Sequence, residues 1–169
     1  MNRITPHTLA AGALWLALAW TGAAQAQTAG GFELITAAEA QQTAKAEADA
    51  PAEVIRPRQV PAPRGTLPSI KVLAPTTTAA PVAAPLRIEV AFTPPPGARI
   101  VPSSFRVLYG LLKIDLTERL RRHATVSESG VVVDRAVVPE GQHRLILQVA
   151  DDQGNTAEQE LRIRVGAAS

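Results

Sequence analysis

A two-residue hydrophobic period runs through the last hundred residues and restricts what this chain can become. In LRIEVAFT, Leu86, Ile88, Val90 and Phe92 alternate with Arg87, Glu89, Ala91 and Thr93. In TAEQELRIRV, Ala157, Gln159, Leu161, Ile163 and Val165 form the inward set and charged residues the outward one. Successive side chains of an extended backbone point to opposite faces, so each run predicts a strand with one buried face. Similar strands are expected at Ser69–Ala74, around Phe105, Val107 and Tyr109, and at Leu112–Leu116, Val131–Val138 and His143–Ala150. Turn-forming stretches separate them: Pro94-Pro95-Pro96-Gly97, Ser129-Gly130 and Pro139-Glu140-Gly141. That makes about seven strands in about 100 residues, with no segment offering a crossover helix of useful length. The pattern predicts an all-β fold, a single antiparallel two-sheet sandwich over residues 66–166, with 167–169 as a tail. One helical turn is expected inside it, from a capping Thr117 through Leu120.

The chain has no cysteine, so its core must be held by apolar burial rather than covalent cross-links. Residues 1–26 carry the signature of a secretory signal peptide. Arg3 precedes the uncharged run Leu9–Ala24, and Ala24-Gln25-Ala26 offers the small-x-small pattern that places cleavage before Gln27. The run is shorter than the ~20 residues a bilayer-spanning helix needs, and no second such run follows, so no membrane span is expected in the mature chain. Localisation is therefore expected to be exported, periplasmic or extracellular.

Export would remove Trp15 and Trp20, leaving Phe32, Phe92, Phe105 and Tyr109 as the aromatic residues. Without Arg3, 16 Lys and Arg face 15 Asp and Glu. Stacking platforms and cationic grooves are both poorly supplied, which argues against a carbohydrate-binding module and against a nucleic-acid partner.

Residues 27–65 are expected to be a disordered Ala/Pro-rich tether. Thr36-Ala37-Ala38-Glu39 has capping-box spacing, so a short helix is expected near 37–48. It has almost no apolar face and should be marginal alone in water. PAEVIRPRQVPAPRGTLP follows, where proline fixes an extended backbone.

Between the last two strands lies Asp151-Asp152-Gln153-Gly154-Asn155. The aspartates, the glycine and the asparagine suit a tight reversal, because Asp accepts nearby N–H groups and Gly and Asn tolerate positive φ. An EF-type calcium loop counted from Asp151 would place Arg162 where a bidentate glutamate is needed, so that pattern fails. A looser calcium set of Asp151, Asp152 and Asn155 is the weak alternative. Pro68-x-Ile70-x-Val72, Gly141-x-His143-x-Leu145 and Val149-x-Asp151-x-x-Gly154-Asn155 together resemble a bacterial immunoglobulin-like or fibronectin type III-like domain over Thr66–Val165. The resemblance implies an immunoglobulin-like sandwich and leaves function open, since such domains serve as spacers, adhesion modules and binding units. The antibody-type cysteine and core tryptophan are absent, with His143 and Leu145 at the comparable spacing.

His123 and His143 have no partner at zinc-ligand spacing, and structural roles are expected for both. His143 is expected to bond backbone at a corner between the last two long strands. No Gly-x-Ser-x-Gly elbow, Ser-x-x-Lys or phosphate loop occurs, and no thiol is present, so no catalytic residues, no cofactor and no enzyme activity are expected. Arg119, Arg121 and Arg122 form the one basic cluster, a candidate surface for an anionic partner, against a bland role as a solubilising loop. The functional expectation is an exported, non-catalytic binding or assembly module of the bacterial envelope, meeting a protein partner through strand addition. A structural spacer, an accessory subunit of an envelope complex and an envelope enzyme are the alternatives.

Overall fold

The computed structural model describes residues 30–51, 67–76 and 80–166. The signal peptide and its cleavage site, most of the proline-rich stretch and the 167–169 tail lie outside the described residues.

Strands dominate, arranged in two sheets. Along the chain they are β1 (Phe32–Glu33), β2 (Ser69–Ala74), β3 (Val82–Ala83), β4 (Leu86–Thr93), β5 (Ile100–Tyr109), β6 (Ile114–Asp115), β7 (Ala124–Ser127), β8 (Gly130–Val137), β9 (Gly141–Asp151) and β10 (Thr156–Gly166). Helix α1 spans Ala37–Asp49 and α2 spans Thr117–Arg121. One sheet runs β1-β8-β4-β2, with β7 also paired to β8; the other runs β3-β10-β9-β5-β6. The sheets face each other across the alternating residues. Ile88, Val90 and Phe92 of β4, Val131 and Val133 of β8, Phe105 and Val107 of β5, Leu145 and Leu147 of β9, and Leu161 and Ile163 of β10 are all buried in one cluster. Phe92 and Phe105 meet across the layers with ring centroids 5.6 Å apart. Period-two patterning thus sets both the strands and the face each one buries.

Local chemistry accounts for the departures. Gln159 carries inward parity but is exposed, so β10 buries Ala157, Leu161, Ile163 and Val165 instead. The strand expected at Leu112–Leu116 shrinks to two residues, because the chain turns at Gly110 and enters α2 at once. Thr117 is not the cap of that turn. Leu116 holds the cap position without a side-chain bond. The Asp115 carboxylate accepts the Thr117 N–H at 2.8 Å, and the Thr117 hydroxyl turns inward to accept the Val107 N–H at 3.0 Å. β7 was hidden by its half-buried, alternating-polar sequence ATVS.

The larger correction concerns residues 27–65, expected to be a tether. Residues 30–51 of that stretch are docked on the sandwich. β1 pairs in parallel with β8, Phe32 opposite Ala136 and Glu33 opposite Val137, and the Leu34 N–H extends the ladder to Val137 O at 2.9 Å. Leu34 and Ile35 are fully buried. The capping box forms as its spacing predicts: Glu39 N–H donates to the Thr36 hydroxyl and Thr36 N–H to the Glu39 carboxylate. Helix α1 needs no apolar stripe because the apolar contact lies just before it, in the Leu34–Ile35 pair. Its close approach is made at Gly110, where a Cβ would stand 2.0 Å from Thr43 Cγ2 and where φ is +63°.

Candidate functional site

Three groups of polar residues carry the candidate chemistry. The first is the β9–β10 turn. Asp151 is buried, and its carboxylate accepts the Gln153 N–H at 3.0 Å, the Asn155 N–H at 2.8 Å and the Asn155 side-chain amide at 3.0 Å. Asp151 N–H reaches Asn155 O at 3.0 Å, and Gly154 takes φ +83°. Burial pushes the Asp151 carboxyl upward, yet the bonds from Asn155 and Gln153 outweigh it and hold the carboxyl below its ordinary range. Asp152 turns away, accepting the Arg99 N–H at 3.0 Å. Asp151, Asp152 and Asn155 are neighbours in this turn, but their oxygens do not converge: Asp151 is spent on the turn itself and Asp152 on the loop before β5. Among the described residues no three His, Cys, Asp or Glu side chains gather as a metal site.

The second group is the basic segment of α2. Arg119 donates to both carboxylate oxygens of Glu39, at 2.8 and 2.9 Å, and to Leu34 O at 2.8 Å. It is the clasp on the docked N-terminal segment. The paired Arg119 guanidinium, ahead of the opposing effect of burial, holds the Glu39 carboxyl down at about 2. Arg121 lies across the outer edge of β5, donating to Ser103 O at 2.7 Å, Phe105 O at 3.1 Å and Pro102 O at 3.4 Å. Arg122 is exposed. The three cations proposed for an anionic partner therefore do not act together, since two are committed to internal acceptors. His123 stacks on Phe32 with centroids 4.1 Å apart. That stack lines a depression of about 380 Å³ with Gly30, Gly31, Asp134 and Arg135.

The third group sits under α1. The Tyr109 hydroxyl lies 2.9 Å from His143 Nδ1, and His143 Nε2 lies 2.8 Å from Pro139 O. A carbonyl only accepts, so Nε2 carries the proton and the phenol donates to Nδ1. The corner role expected of His143 is present, but its backbone partner lies in the β8–β9 turn rather than between β9 and β10. Burial depresses the His143 pKa and pushes the Tyr109 phenol up to about 12.

The sequence gave no hint of a further feature, the free side of β10. β3 pairs only with Val165 and Gly166. From Thr156 to Arg164 no strand among the described residues pairs with its outer side. Among the described residues no helix is long and apolar enough to cross a membrane. A scan against protein-family models gives no match, and a search among curated proteins gives none either.

Proposed function

We propose that this chain is an exported, non-catalytic immunoglobulin-like module that binds or assembles with protein in the bacterial envelope. The immunoglobulin-like assignment rests on strand order: β2, β4, β8 and β7 on one side and β10, β9 and β5 on the other follow the A-B-E-D and G-F-C arrangement of that fold. Export rests on the Leu9–Ala24 run and the Ala24-Gln25-Ala26 cleavage pattern. The observation that carries the binding role is the unpaired side of β10. An open sheet edge adds a partner strand through main-chain bonds, whereas His143, Asp151, Arg119 and Arg121 are all occupied in holding the fold.

The test is expression of the full tagged chain in a Gram-negative host, with photo-reactive residues in place of Glu158 and of Lys71 as a control. The expected result is an envelope-fraction product beginning at Gln27, cross-linked to protein from position 158 and not from 71. Retention of the uncleaved chain in the cytoplasm, or equal cross-linking from both positions, would overturn the proposal.

A further inference from the structure

We infer that β10 pairs antiparallel with β10 of a second copy, closing a two-fold dimer about Leu161. This deepens the binding role proposed above by choosing its edge and its partner.

The argument starts from which peptide groups face outward. Gly110 N–H donates to Arg144 O at 2.8 Å, so even-numbered residues of β9 turn their peptide groups toward β5 and odd-numbered ones toward β10. The Ala150 N–H bond to Ser104 Oγ on β5 agrees. The β9–β10 register pairs Leu145 with Leu161 and Leu147 with Gln159. Odd-numbered residues of β10 therefore bond β9, and the N–H and C=O groups of Glu158, Glu160 and Arg162 point to the free side.

Side chains on that stretch are self-complementary. Residues 158–164 read EQELRIR, with Glu158 and Glu160 before Leu161 and Arg162 and Arg164 after it. In an antiparallel pair centred on Leu161, Glu160 faces Arg162 of the second copy and Glu158 faces Arg164. By symmetry both pairs occur twice. Sliding the centre to Glu160 sets glutamate against glutamate, and sliding it to Arg162 sets arginine against arginine. Centring on Gln159 or Ile163 also opposes like charges, Glu158 to Glu160 or Arg162 to Arg164. Like charges directly opposite are unfavourable, so this register is pinned. Within one copy Glu160 already pairs with Arg144 and Arg162. The charges thus select register and partner, and the main-chain bonds supply the attraction.

The other edges are guarded where β10 is not. β5 carries Pro102, a register shift between Val101 and Arg106, and the Arg121 guanidinium over three carbonyls. β2 is six residues long with its own shift between Val72 and Ala74. β8 is covered on its outer side by β7 and β1. In contrast, β10 keeps an unbroken register with β9 from Thr156 to Val165 and has no proline. Proline, bulges and covering groups are how sheets refuse a partner strand. With one open edge per molecule, the pairing is isologous and closes at two copies.

The test is sedentation-free of any ligand: analytical ultracentrifugation of the purified chain over a concentration series, with amide exchange at residues 158–164. Dimer is expected at tens to hundreds of micromolar, the range suited to a small interface. Protection of the Glu160 and Arg162 amides is expected to rise with concentration. Glu160→Arg should weaken the dimer about tenfold by opposing two pairs of arginines, and adding Arg162→Glu should restore it. Arg162→Pro should abolish it while keeping the β9 ladder, because only an outward N–H is lost. A wild-type monomer throughout, a monomer with these amides already protected by its own chain, or a double variant no tighter than Glu160→Arg overturns the inference. Those results leave the envelope proposal standing if position 158 still cross-links to a different protein.

Discussion

Tyr109 of β5 and His143 of β9 share a buried 2.9 Å hydrogen bond beneath α1, with the imidazole fixed as the Nε2–H tautomer by Pro139 O. In the antibody-type corner a tyrosine reaches backbone directly. Here histidine stands between phenol and carbonyl, joining the sandwich end to the β8–β9 turn.

His143→Ala should cost about 1–3 kcal/mol in denaturant unfolding, because it strands a buried phenol and a carbonyl. The pH dependence follows from the depressed pKa. The folded state favours neutral imidazole, so the His143 contribution is complete above the ordinary histidine value of 6.5 and declines as pH falls through the lower folded value. His143→Gln should flatten the stability profile over that window. An unchanged profile would refute the tautomer assignment.

Glu39 and Arg119 clasp the N-terminal segment, and that clasp titrates at a different place. The Glu39 pKa is lowered from 4.5 to about 2, so its contribution is complete above 4.5 and is lost as pH falls through about 2. Glu39→Gln should cost about 1 kcal/mol, discounted for the partly exposed arginine. Limited proteolysis should then cut within residues 30–51 before the sandwich. Equal cleavage rates in both proteins would refute the clasp.

Arg121→Ala bares three carbonyls on β5. With both outer edges of that sheet open, association should no longer stop at a closed pair, and light scattering at high concentration should show growing species. Arg122→Ala, at the exposed neighbour, should leave scattering at the wild-type level.

Asp151→Ala should lower the melting temperature, since three donors at the β9–β10 turn lose their acceptor. Added calcium or chelator should leave the wild-type melting temperature unchanged. A calcium-dependent rise would restore the looser ligand set of Asp151, Asp152 and Asn155.

The strands bearing the core were legible because burial of one face writes a period of two, as in Leu86 to Phe92 and Leu161 to Val165. The Asp151 turn was legible because its chemistry is local. Docking of Leu34 and Ile35 was not, since two adjacent apolar residues carry no period and their site is built by β8 and α2. The uses of Arg119 and Arg121 were hidden for the same reason: their acceptors lie 80 and 16–19 residues away. The open side of β10 is a property of what does not pair with it, and no local pattern encodes that.

The clasp between Glu39 and Arg119 also orders events in time. Its two halves are 80 positions apart, and the berth for β1 on β8 is made later still along the chain. Such long-separation contacts gain their reward only after the intervening loop has been closed. The amino-terminal latch therefore shuts last, over a sandwich that has already formed.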